Sequence, residues 1–169
     1  WPPEDVAKGL TITVYEATTA PSAISIKSWH IIAQPGQGVL DIDEYVVFEN
    51  KSDRAYVGSQ VVDDQGRKAT LVFSLPKGAY GFQYMQGLMD CCMVVTAPGL
   101  VDTMAVLPGS KEVFFHYFVN AADGSYDLAR PVDYPASDVR LLVQGTGPKV
   151  SSTMLANQQT VTDANGTKY

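Results

Sequence analysis

Apolar and polar residues alternate along most of this chain. In "LTITVYEA", residues 10–17, Leu10, Ile12 and Val14 fall on one face and Thr11, Thr13 and Tyr15 on the other. In "VLDIDEYVVFEN", residues 39–50, Leu40, Ile42, Val46 and Phe48 share a face, and Asp41, Asp43, Tyr45 and Glu49 share the opposite one. "AISIKSWHIIA", "KATLVFSLP", "YGFQYM", "EVFFHYFVN" and "DVRLLVQG" continue the theme, although Trp29 to Ile32 leave the buried side of the second run open. A period of two in segments rich in Val, Ile, Thr, Tyr and Phe predicts half-buried strands. Between them stand the turn signals "QPGQG", "NKSD", "DDQGR", "LPKG", "APG", "LPGS", "AADGS" and "DANGT". No stretch carries a capped helical period. Strands at this spacing, without helices between them, predict an all-β fold: an antiparallel β-sandwich of immunoglobulin-like or Greek-key type.

Composition agrees with that expectation. The 169 residues are 46% hydrophobic, enough for one sandwich with a sizeable core. Residues 10–169 are expected to form it, preceded by an extended segment, residues 1–9, that opens with Trp1, Pro2 and Pro3. The chain starts at Trp1 rather than at a methionine, as a processed chain, an excised piece or a cloned fragment would. It stops at Tyr169 soon after the hairpin signal "DANGT", so the last strand pair is expected to be incomplete or finished by another molecule. The net charge of −6 excludes most nucleic-acid partners, which need clustered Lys and Arg, and equally an anionic lipid surface. No apolar run approaches the about 20 residues that span a bilayer.

The two cysteines are neighbours, in "MQGLMDCCMVV", residues 85–95. In a regular strand Cys91 and Cys92 would point to opposite faces. A bridge between them needs a distorted turn, which Gly87, Met89 and Asp90 are suited to make. Four readings stay open: one buried thiol, a vicinal disulfide, a link to another chain, or a metal or redox role. For the last, Met89, Cys91, Cys92, Met93 and His116, with Met85, Met104 and His30 further off, are the thioether, thiolate and imidazole groups that copper prefers. The usual close spacing of Cys, His and Met in a copper site is absent, and methionines near strands commonly fill cores. His30 and His116 lie in apolar strands, where a structural histidine is the default. "DIDE" (Asp41, Asp43, Glu44) and "VDD" (Asp63, Asp64) offer carboxylates without calcium-loop spacing. "NKS" at Asn50 and "NGT" at Asn165 fit the glycosylation acceptor pattern. No nucleophile, base or phosphate-loop motif is present, so no cofactor and no enzymatic activity is expected.

The run of Gly, Leu, Met, an acidic residue and two cysteines at residues 87–92, with "VDTM" at residues 101–104, resembles a family of exported bacterial β-sandwich proteins, often preceded by a carboxypeptidase-regulatory-like segment. The resemblance runs from about residue 10 to 145. It implies a periplasmic or cell-surface location and carries no catalytic residue. By this resemblance the chain is expected to lack the upstream segment. On this basis the chain is expected to be a structural or interaction module with protein partners, including copies of itself. An unfinished sheet edge would be filled by strand addition, with Trp1 to Pro3 and the residues after them as the extended reach. Soft-metal binding at the Met/Cys cluster is the alternative.

Overall fold

A computed structural model describes residues 11–122, 124–145, 148–156 and 159–169. Trp1, Pro2, Pro3 and Leu10 lie outside these. Ten strands follow in chain order: β1 (Ala17–Thr18), β2 (Ile24–Pro35), β3 (Val39–Asn50), β4 (Ala55–Tyr56), β5 (Leu71–Ser74), β6 (Tyr80–Gln86), β7 (Met93–Thr96), β8 (Gly99–Asp102), β9 (Gly109–Asn120) and β10 (Val139–Val143). The only helical elements among the described residues are two 3-10 turns, Pro21–Ala23 and Asp90–Cys92. Among the described residues no helix is long and apolar enough to cross a membrane.

Five strands form one sheet in the order β10-β2-β3-β9-β6, three form a second in the order β5-β8-β7, and β1 pairs with β4 alone. The fold is an all-β sandwich. Its pairs are antiparallel with two exceptions, since β10 runs parallel to β2, and β1 parallel to β4. The two sheets share one apolar core, in which Phe48 meets Phe73 edge-on at 5.6 Å and Phe73 meets Phe115 at 5.2 Å. The inward residues of β3 are those its alternation predicts, Leu40, Ile42, Val46 and Phe48. β9 contributes Val113, Phe115, Tyr117 and Val119.

The long strands fix two poles. β3 and β9 run side by side from Asn50 opposite Gly109 at one end to Val39 opposite Asn120 at the other. At about 3.3 Å per residue, these twelve-residue strands hold the poles roughly 36 Å apart. β1 sits at the Asn50 pole, where the Ala55 N–H donates to the Glu16 carbonyl at 2.8 Å. The β5–β6 loop sits at the Asn120 pole, where the Tyr80 hydroxyl donates to the Asn120 side chain at 3.0 Å.

The predicted first strand is a departure. Residues 11–16 alternate as a strand should, yet only Ala17 and Thr18 pair, and Ile12 is 73% and Val14 85% exposed. No sheet among the described residues lies under that apolar face.

Candidate functional site

One side of the sandwich is sealed. The outer edge of β5 would present unpaired N–H groups, but the segment after β9 covers it with side chains. The Val72 N–H donates to the Tyr134 hydroxyl at 2.8 Å, and the Ser74 N–H and hydroxyl both donate to the Asp133 carboxylate at 2.7 Å. The Ile26 N–H then donates to the Pro135 carbonyl and the Trp29 N–H to the Asp138 carbonyl, which carries the segment onto β2 and into β10.

A buried charge cluster pins this seal. Glu44 fills the inward slot of β3 that the apolar alternation skips. Its carboxylate accepts from Trp29 Nε1 at 2.7 Å and from the Tyr117 hydroxyl at 2.6 Å, and it pairs with Arg130 at 2.6 Å. The Arg130 guanidinium also lies 4.7 Å over the Trp29 ring. Burial, then the Glu44 charge, pushes the Tyr117 hydroxyl well above its ordinary range. Burial works against the Arg130 cation, but the Glu44 and Tyr117 contacts outweigh it and hold it charged. Glu44 therefore does not join Asp41 and Asp43, which lie on the outer face of β3. The sequence signal for this was the vacant position between Ile42 and Val46.

The opposite side is open. β7 and β6 end their sheets, and no described strand pairs with the outer edge of either. At the Asn120 pole lies an open cleft of about 370 Å³, lined by Phe82 of β6 and Val95 of β7 together with Leu75, Lys77, Pro98 and Arg130, so that it reaches from this margin to the covering segment. Register explains its apolar wall. Val95 stands opposite Leu100, and Leu100 opposite Phe73, so all three face the core side of their sheet. Leu100 and Phe73 are buried, whereas Val95 is 63% exposed because nothing covers that margin.

The cysteines occupy the turn that crosses from β6 to β7. Gly87, at φ +70°, lets the chain leave β6, Leu88 anchors it in the core, and Asp90–Cys92 forms the 3-10 turn closed by the Cys92 N–H to the Met89 carbonyl at 2.8 Å. Cys91 is exposed and Cys92 half-buried; both are free thiols, with their sulfurs 3.1 Å apart. The Cys91 hydrogen bond, then desolvation, pushes the Cys92 thiol above its ordinary range, which makes it a poorer thiolate ligand at neutral pH. Met93 is buried and Met89 exposed.

His116 is engaged elsewhere. On the outer face of β9 its Nδ1 lies 3.2 Å from Asp41 and 3.1 Å from Asp43, and its ring meets Phe118 edge-on at 4.6 Å. Asp41, Asp43 and His116 are the only described residues of the His, Cys, Asp and Glu types that gather three ligand atoms within 4.8 Å. The two cysteines and His116 do not come together. Asp63 bonds to Arg67 within its own hairpin, and Asn50 is buried with its amide donating to the Arg54 and Val106 carbonyls at 2.8 and 2.9 Å. That amide is spoken for as a structural donor, whereas Asn165 is exposed in a turn.

Fold and site together define an all-β sandwich sealed along one side and open along the other. No family model matches the chain, and no curated protein matches it.

Proposed function

We propose that this chain is a non-enzymatic structural subunit of an exported assembly, joined to protein partners by strand addition. The observation that carries the reading is the stretch at residues 11–16: it has strand alternation, two apolar side chains mostly in water, and no sheet among the described residues beneath it. An exposed strand with a row of free N–H and C=O groups pairs readily with another sheet. Placement at the cell envelope or surface rests on the resemblance at residues 87–92 and 101–104. Light scattering of the purified chain from micromolar to millimolar concentration tests the reading. A mass that rises with concentration is expected, and a monomer throughout would remove it.

The rival reading, soft-metal binding, is favoured by two free thiols 3.1 Å apart, that of Cys91 exposed and that of Cys92 half-buried. It requires uptake of Cu(I) that Cys91→Ser abolishes. A chain that takes up no copper leaves assembly alone.

A further inference from the structure

The geometry points to a specific, polar pairing: residues 11–15 of one copy enter the cleft between β6 and β7 of a second copy and hydrogen-bond to the outer edge of β7. This inference rests on the assembly reading and names both halves of the joint.

The receiving edge follows from the ladder. The Thr103 N–H donates to the Cys92 carbonyl at 3.0 Å, which makes Cys92 and Thr103 a hydrogen-bonded pair. In an antiparallel ladder such pairs alternate, so Val94 with Val101 and Thr96 with Gly99 are the next ones. The N–H and C=O groups of Val95 and the C=O of Met93 are thereby turned to the free margin, while the Met93 N–H is held by the Asp90 carbonyl in the 3-10 turn. β7 keeps an unbroken register over its length. β6 has two register shifts, and bulges of that kind spoil an edge for pairing. β5 is closed by Tyr134 and Asp133. β7 is thus the straight edge that adjoins the cleft.

The occupant follows from pattern and reach. Ile12 and Val14 project from one face of an extended stretch, two residues apart, as a wall of exposed Val95 and half-buried Phe82 requires. The same molecule cannot supply them. Ala17 is held against Ala55 at the Asn50 pole, while the cleft opens at the Asn120 pole, roughly 36 Å away by strand rise. Five residues at full extension carry Ile12 at most about 18 Å from Ala17. A second copy is the remaining source of this segment. Because the donor leaves one pole and the cleft opens at the other, the contact is head to tail. It leaves a free donor and a free cleft at the two ends, so it propagates as an open filament rather than closing as a two-fold dimer. The same geometry sets the donor parallel to β7 and antiparallel to β6.

Complementation between variants of the full chain tests this. Ile12→Asp with Val14→Asp disables the donor and leaves the cleft. Val95→Pro removes the outward N–H that β7 offers and leaves the donor. Val95→Lys, at a solvent-exposed side chain, serves where proline disturbs folding, and circular dichroism confirms that each variant is folded. Each alone is expected to be monomeric where the wild type assembles. Mixed in equal amounts they are expected to form a 1:1 dimer and nothing larger. A donor or acceptor variant that assembles like the wild type overturns the pairing while the assembly reading stands, the outer edge of β10 then being the receiving strand to examine. A mixture that stays monomeric overturns it too. A wild type that never associates removes the underlying reading as well.

Discussion

Glu44 carries a charge into the core, and the cost of desolvating it is met only because three donors converge on it. With Arg130 removed, the carboxylate would stay buried against Tyr117 and Trp29 with no countercharge. Arg130→Met is therefore expected to lower the unfolding free energy by about 3–5 kcal/mol. Glu44→Leu combined with Arg130→Met should recover most of that loss, because neither charge is then left alone. Urea unfolding followed by tryptophan fluorescence reads both effects, since Trp29 is buried beside Glu44 and becomes exposed on unfolding. Asp63 sets a pH dependence of a different sign of origin. Burial works to raise its carboxyl pKa, but the Arg67 side chain, the Arg67 and Gln65 N–H groups and the Arg67 charge outweigh it and hold the carboxyl below its ordinary value. A depressed folded pKa contributes stability above the unfolded value of 3.8, lost as pH falls through the folded one. Asp63→Asn should thus lower Tm against the wild type near neutral pH. The gap should narrow below roughly pH 4 and vanish in stronger acid.

At the scale of elements, legibility tracked how regular each strand is. β3 reads off the sequence because one face is apolar from Leu40 to Phe48 and nothing interrupts it. β2 resisted because its register shifts between Ile26 and Ser28, which moves the buried set from Ile24 and Ile26 to Trp29, Ile31 and Ala33. No period of two survives a bulge. β7 and β8 were hidden for another reason. Each has four residues, all of β8 is buried, and the Pro98–Gly99 turn signal dominates the window. The site was legible only in part. The extended reach was expected in residues 1–9, opening with Trp1 to Pro3, which lie outside the described residues, whereas the donor proposed above is residues 11–15, expected from the sequence to belong to the sandwich itself. The cleft depends on Val95 and Phe82 lining it from two different sheets, which no local pattern encodes. The crossing turn at Gly87 makes a sharp prediction. A Cβ there would lie 2.0 Å from the Glu112 carbonyl oxygen, whereas one at Gly78, with a similar positive φ of 79°, meets nothing within 4 Å. Gly78→Ala should cost only the left-handed strain of about 1–2 kcal/mol. Gly87→Ala must also displace β9 backbone, so its midpoint in urea should fall clearly further.

For the whole molecule, charge and assembly pull against each other. Twelve cations against eighteen acids leave each copy at −6, and head-to-tail contact brings copies of one sign together. The proposed joint is made of main-chain hydrogen bonds and the apolar side chains Ile12, Val14, Val95 and Phe82, with no ion pair required. Screening then removes repulsion without removing attraction. Near physiological ionic strength the screening length is about 8 Å, short against the molecule. Raising salt, or lowering pH toward the pI of 4.7, should lengthen the assemblies seen by light scattering and electron microscopy. A joint held mainly by pairs such as Arg54 with Glu16 would respond in the opposite sense and shorten as salt is added. The sign of the salt response therefore separates an edge-strand joint from an electrostatic one, before any residue is changed.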